Sequence, residues 1–319
     1  MTVICIECSH KRGMGHFYRA LNILHYFGKI GETAVVVINH DKIAVQLLKN
    51  GAVPYETVDY TDIISNWEKN IIHKYQADVW LLDKFETRAE LAWHVKNEGV
   101  VLAAIDDCGE GADHADLHFC AMQFHNLRGK HIYAGKEYMV LNPEIAKYRR
   151  QRTILNKILI TMGGSDTYGV TVKVVKILKE KGLKADIVTG PAFQHKTLLD
   201  QELDDGFTVF DTVPSLIEKF YEYDLAVTGG GVTCFEANAS GLPCIVIANE
   251  MHEIETAEYI ARFGGARFAG YCQDISIETM DIDHINIERM SAAALHAFPL
   301  NGVENIYHVI ERYRNRYER

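Results

Sequence analysis

Apolar strand-like runs alternate with helical stretches, the chain has 319 residues, and the alternation restarts near residue 150. These three observations predict an α/β protein of two Rossmann-like domains facing each other across a cleft. Strand–helix alternation implies parallel sheets joined by right-handed crossovers. Ligands of such sheets bind beyond the carboxyl ends of the strands, so two domains place a shared cleft there. The expected division is 1–148 and 149–319, the second domain including a terminal helix.

In the first domain the strand-like runs are 3–9, 33–39, 53–58, 79–83, 100–106 and 117–121. Several are continuous in Val, Ile and Leu, as strands covered on both faces are. The first helix begins near Gly15, carries Phe17, Ala20, Leu21, Leu24 and Phe27 at helical spacing, and stops between Gly28 and Gly31. In the second domain the runs are 157–162, 185–189, 207–210, 225–228, 244–248 and 266–269, with a helix at 170–179. Between the halves, 144–156 holds Lys147-Tyr-Arg-Arg-Gln-Arg152, which reads as a solvated linker helix because charge runs face water. Residues 303–319 read as a charged amphipathic helix.

Composition narrows the function. The chain is 48% apolar and 24% charged with six prolines, which excludes collagen-like, low-complexity and disordered classes. A formal charge of −10 argues against nucleic acid as the main partner, although a few backbone N–H groups still suffice for an anionic small ligand. No apolar run approaches the ~18–20 residues of a membrane span, and the amino terminus lacks a basic start and a cleavage site. Seven scattered cysteines fit a reducing, cytoplasmic setting. Cys5-x-x-Cys8 has no second ligand pair for zinc and reads as strand lining. Asp113-His-Ala-Asp-Leu-His118 offers metal-ligand types, but His118 falls in a strand and need not share a face with His114. No metal or cofactor is expected.

Three glycine turns carry the chemistry. The first, Arg12-Gly13-Met-Gly15-His16-Phe-Tyr-Arg19, follows the first strand and places His16 in the first helical turn. There the helix dipole favours a neutral ring, suited to a general base; a packed or capping histidine is the plainer alternative. The second, Met162-Gly163-Gly164-Ser165-Asp166, joins a strand to the helix at 170–179. It either cradles a phosphate or supplies an N-cap. The third, Thr228-Gly229-Gly230-Gly231-Val232-Thr233, opens a short helix bearing Glu236. Glycines there suit a diphosphate, and a carboxylate one turn on can accept both ribose hydroxyls of a nucleotide. Asn249-Glu-Met-His252-Glu253-Ile-Glu-Thr256, after the next strand, faces the same cleft in this scheme.

Taken in order, these motifs resemble the UDP-sugar hydrolases of pseudaminic acid biosynthesis and their spore-coat polysaccharide relatives, which share the two-domain (GT-B) glycosyltransferase fold. The residues that carry the resemblance are Gly13-Met-Gly15-His16 with Arg19, Ile105-Asp-Asp107, Ala115-Asp116, Tyr138 to Glu144, the Gly163–Asp166 turn, the Thr228–Pro243 stretch and Glu255-Thr-Ala257. The resemblance implies a metal-independent hydrolase that releases UDP and a free 2,4-diacetamido-trideoxyhexose-like sugar with inversion. His16 is then the base that activates water. Gly229 to Thr233 hold the diphosphate and Glu236 the ribose. Gly13, Gly15, Arg19, Asp83, Phe85, Gly163, Gly164, Ser165, His252, Glu253 and Thr256 complete the expected substrate contacts. Two departures stand out: Asp83-Lys-Phe85 where the family often has Asp-x-Tyr, and His252-Glu253 where it often has Asn-Gln. They leave open a different sugar, a UDP-sugar glycosyltransferase using the same residues, or a binder that has lost catalysis.

Overall fold

A computed structural model describes residues 1–9, 14–122, 127–211, 213 and 215–317, with side chains to 315. The first compact unit holds Met14–Leu141, the strand that precedes it and the helix that ends the chain; the second holds Asn142–Leu300. In chain order the first unit has β1 (Thr2–Ile6), α1 (Gly15–Ile30), β2 (Ala34–Asn39), α2 (Lys42–Asn50), β3 (Tyr55–Val58), α3 (Trp67–Tyr75), β4 (Val79–Asp83), α4 (Ala89–Asn97), β5 (Val101–Ile105), β6 (Leu117–Cys120) and β7 (His131–Ala134). The second has β8 (Ile158–Thr161), α5 (Val170–Glu180), β9 (Ala185–Val188), α6 (Lys196–Glu202), β10 (Phe207–Phe210), α7 (Leu216–Phe220), β11 (Leu225–Gly229), α8 (Val232–Ala239), β12 (Cys244–Ala248), α9 (Glu253–Ala261), β13 (Ala266–Tyr271), α10 (Ile277–Met280) and α11 (Ile287–Ala297). The terminal helix is α12 (Gly302–Tyr317).

Both sheets are parallel, in the orders β3-β2-β1-β4-β5-β6-β7 and β10-β9-β8-β11-β12-β13. Each therefore reverses direction once, between β1 and β4 and between β8 and β11. A reversal leaves the following connections on opposite faces and opens a crevice at the strand ends. The glycine–histidine turn leaves β1, Asp83 ends β4, Gly163 and Gly164 follow β8, and Gly229 to Gly231 end β11. Every main motif thus sits at the switch point of its own sheet.

Side chains alternate across each strand and both faces are covered. Val3 and Cys5 pack with Trp80, Leu82 and Leu102 on one face; Ile4 and Ile6 pack with Phe17, Leu81 and Ile105 on the other. The second face is completed by Val303, Ile306, Val309 and Ile310 of α12. Tyr26 and Phe27 of α1 meet the Tyr307 ring edge-on, and Tyr307 Oη donates to Glu32. The terminal helix thus belongs to the first unit, not to 149–319 as expected. No helix among the described residues is long and apolar enough to cross a membrane.

The segment 144–156 is not a solvated helix. A 3₁₀ turn, Pro143–Tyr148, runs into an extended strap, and Arg152 is wholly buried. Its guanidinium donates to the carbonyl oxygens of Tyr223 (3.1 Å), Arg150 (2.7 Å), Ser240 (2.6 Å) and Phe220 (2.6 Å). Burial and the Arg150 charge pull its pKa down to about 9, still above neutrality, so the donors keep their charge. Strand β7 also departs from expectation; it is a short, largely exposed edge strand with no apolar run to announce it.

Arg152→Ala removes one donor from each of four carbonyls; Tyr223, Ser240 and Phe220 keep a second donor, and Arg150 O is left without one among the described residues. At ~1–3 kcal/mol for the one unsatisfied group, a loss of at least about 1 kcal/mol is expected, read as a lower urea midpoint. Lys147→Ala, on the exposed side of the same segment, leaves that midpoint unchanged.

Candidate functional site

In the first unit, α1 starts without a side-chain cap, so its first N–H groups stay open. His16 and Arg19 lie three residues apart and share a face. That face looks onto β4 where Leu81 and Asp83 point toward α1. His16 Nδ1 lies 2.7 Å from Asp83 Oδ1. Arg19 donates through Nε to Asp83 Oδ2 (2.8 Å), through Nη2 to Asp83 Oδ1, and through Nη1 to Asp106 Oδ2 (2.7 Å).

Charge fixes the state of this network. Burial works to raise the Asp83 pKa, but the Arg19 guanidinium and His16 outweigh it and hold the carboxyl at about 2. An ionised carboxylate only accepts, so the shared hydrogen lies on His16 Nδ1 and leaves the Nε2 lone pair free in the neutral ring. His16 keeps 27% of its side chain exposed while Asp83 is fully covered. The ring is thus held from behind and open in front, the arrangement of a general base oriented by a carboxylate.

The expected substrate contacts of the first unit divide accordingly. Arg19 and Asp83 are buried and spend their polar atoms on each other, His16 and Asp106. Phe85 is half exposed on the loop after β4. Gly15 is open, with no atom near the place a side chain would take, so packing does not require glycine there. Gly13 lies outside the described residues. His118 is a packing histidine: Nε2 accepts from Asp107 N–H (3.1 Å) and Nδ1 donates to Arg128 O (2.7 Å). Among the described residues no group of three or more His, Cys, Asp or Glu is placed to hold a metal ion.

In the second unit the three motifs separate. Asp166, buried and at φ 42°, accepts from Val170 N–H (2.7 Å) and Thr171 N–H (2.9 Å). Its carboxylate occupies the first two N–H groups of α5, whose N-cap residue is Gly169. Gly163 and Gly164 stay exposed ahead of it, and Ser165 Oγ pairs with Thr167 Oγ1 at 3.2 Å.

Gly229 and Gly230 are required by close approach. A side chain would reach within 2.7 Å of Asn249 Nδ2 at the first and of the Glu253 Cβ at the second. Glu253 also turns its carboxylate inward: Oε2 accepts from Asn249 N–H (2.7 Å) and Gly230 N–H (3.3 Å). Through Oε2 it ties the loops after β11 and β12 together. Thr256 is buried behind it, and His252 is exposed at the start of α9.

What remains open is the start of α8. Gly231 is its N-cap, has empty space around it, and no side chain caps the helix. The N–H groups of Val232 and Thr233 follow, with the positive end of the helix dipole behind them. Glu236, one turn on, is half-buried and forms no side-chain hydrogen bond or ion pair among the described residues. Burial alone pushes it up to about 7.

No protein-family model matches the chain. It is 24% identical over 285 residues to an uncharacterized protein of Methanocaldococcus jannaschii, covering 81% of this chain and 58% of that one. It is 26% identical over 160 residues to the spore coat polysaccharide biosynthesis protein SpsG of Bacillus subtilis, covering 47% of each. The chain therefore spans about half the length of these curated relatives. Among solved structures it is similar to MurG of Acinetobacter baumannii (TM-score 0.73, 14% identity, 98% and 99% of the two chains). It is also similar to the glycosyltransferase VinC in complex with dTDP (TM-score 0.64, 13% identity, 99% and 100%). The fold is that of the GT-B glycosyltransferases.

Asp83 carries a pH signature. Its folded value of about 2 lies below the ~3.9 of an unfolded aspartate, so its ionised form stabilises the fold above about pH 4. That contribution, about 2 kcal/mol, is lost as pH falls through 2. In acid titrations followed by circular dichroism, Asp83→Asn is expected to show lower stability at neutral pH and a shallower loss below about pH 4.

Proposed function

We propose that the chain is a nucleotide-sugar hydrolase that releases UDP and a free 2,4-diacetamido-trideoxyhexose-like sugar. The observation that carries this reading is the His16–Asp83 pair, an exposed imidazole with a buried carboxylate fixed behind it. A base so oriented accepts a proton at Nε2. Water gives that proton to His16 as its oxygen bonds to the anomeric carbon. The bond from that carbon to the diphosphate oxygen breaks, and UDP leaves with the electron pair. Asp83 stabilises the imidazolium that forms.

In this reading the second unit holds the nucleotide. Its diphosphate lies on the open N–H groups of Gly231, Val232 and Thr233, where donors and helix dipole match the charge that grows on the leaving group. Glu236 accepts the two ribose hydroxyls. Phe85 and His252 lie exposed on loops at strand carboxyl ends and select the sugar. The partial match to a spore coat polysaccharide protein supports a place in the chemistry of surface sugars.

The likeness to a glycosyltransferase structure with dTDP favours one further reading, a transferase in which an acceptor hydroxyl replaces water at His16. A non-catalytic binder leaves the His16–Asp83 pair without a purpose.

A ³¹P NMR time course with UDP-2,4-diacetamido-2,4,6-trideoxy-altrose, without added metal or acceptor, tests the reaction class. UDP is expected to appear, ~10²–10⁴-fold more slowly with His16→Ala, while UDP affinity by calorimetry stays within about two-fold. Equal loss of turnover and UDP affinity would make His16 a nucleotide ligand instead. Glu236 predicts a second signature. Because its folded pKa is about 7, the ionised form that accepts two hydroxyls is lost below neutrality. UDP affinity is expected to weaken by about five- to ten-fold from pH 8 to pH 6, and this slope is expected to be absent in Glu236→Gln.

A further inference from the structure

His16 Nδ1 has two neighbours that make opposite demands on it. Asp83 Oδ1, 2.7 Å away, only accepts, and it calls for the ring hydrogen on Nδ1. Arg19 Nη2, 3.3 Å away, only donates, and it calls for a bare Nδ1 with the hydrogen on Nε2. Only the first outcome leaves Nε2 able to take a proton. The competition is built into α1, because residues three apart on one helix face each other.

Two carboxylates hold the guanidinium in place: Nε and Nη2 donate to Asp83, and the other end reaches Asp106. Arg19 Nη1 donates to Asp106 Oδ2 at 2.7 Å. Asp106 is itself a fixed post at the end of β5. Its N–H donates to Phe119 O (2.9 Å), and its Oδ1 accepts from the N–H groups of Ala121 and Met122 (2.8 Å each). Its backbone sits at φ 48°, in the left-handed region that aspartate tolerates better than most residues but that still strains it. Both carboxyl oxygens are thus committed, one to the backbone and one to Arg19.

We infer that Asp106 is a positioning residue that decides the His16 tautomer: by anchoring Arg19, it lets Asp83 and not Arg19 take Nδ1. The inference rests on the reading of His16 Nε2 as the base, and it goes beyond it by naming the residue that sets the ring's state. The hold of Asp106 on Arg19, 87 residues away, is not visible from motif spacing.

The test is a long-range ¹H–¹⁵N NMR spectrum of ¹⁵N-histidine-labelled full-length protein at a pH where the ring is neutral, with His16 identified by its loss in His16→Ala. In the unsubstituted protein the Nδ1–H form is expected to dominate. Asp106→Asn keeps an oxygen for Ala121 and Met122 but cannot also accept from Arg19, and its Nε2–H share is expected to rise at least two-fold. Asp106→Glu, which keeps an acceptor for Arg19, is expected to restore the Nδ1–H form. An Nε2–H ring in the unsubstituted protein, or one tautomer common to all three proteins, would overturn the inference. No turnover enters this measurement, so its failure and that of the hydrolase reading are separable. If Asp106→Asn does not fold, Asp106→Ala, which also removes the acceptor for Arg19, takes its place: the same rise in the Nε2–H share is expected, and an unchanged Nδ1–H ring overturns the inference.

Discussion

A single buried guanidinium organises the first unit's candidate chemistry. Arg19 sits under the start of α1 between two carboxylates that end neighbouring parallel strands. Without it, Asp83 would be a buried acid that burial pushes toward neutrality. With it, Asp83 stays ionised at a depth where solvent cannot hold it so, and an ionised Asp83 dictates which nitrogen of His16 carries the hydrogen. The rest follows from topology. Only the reversal of strand order between β1 and β4 brings the first helical turn and the end of β4 to the same place.

The second unit obeys a different constraint, the fate of backbone N–H groups at helix starts. Two of its three motif helices have these groups or their neighbours engaged. Asp166 takes those of α5, and Glu253 takes Asn249 and Gly230 beside α9 and α8. The start of α8 alone keeps open donors in front of an unpartnered acid. The glycines divide the same way. Gly229 and Gly230 are small because Asn249 and Glu253 press on them, whereas Gly231, like Gly163 and Gly164, has open space where a side chain would go.

Much of the fold was legible because its signals are strong and local. Continuous Val, Ile and Leu runs marked β2, β4 and β12 to within one residue and β1 to within three, since strands covered on both faces need no polar alternation. His131–Ala134 gave no such signal, because an exposed edge strand buries little. The charge run at 147–152 misled for a physical reason: Arg152 is held by carbonyls 68 to 88 residues away, and sequence does not display carbonyls. The amphipathic terminal helix was plain, yet its stripe does not say which sheet it covers. At the site, His16 and Glu236 were read from glycine turns and helix starts. The inward turn of Asp83, Arg19, Glu253 and Asp166 was not, because a carboxylate near a loop looks the same whether it meets a ligand or a backbone N–H.

The central claim is that His16 directs water at the anomeric carbon of a nucleotide sugar. Turnover in H₂¹⁸O, followed by mass spectrometry of both products, tests it most directly. The account predicts one ¹⁸O in the released sugar, none in UDP, and labelled sugar appearing ~10²–10⁴-fold more slowly with His16→Ala. Label in the diphosphate would mean attack at phosphorus, and the account would then be wrong about which bond this protein breaks.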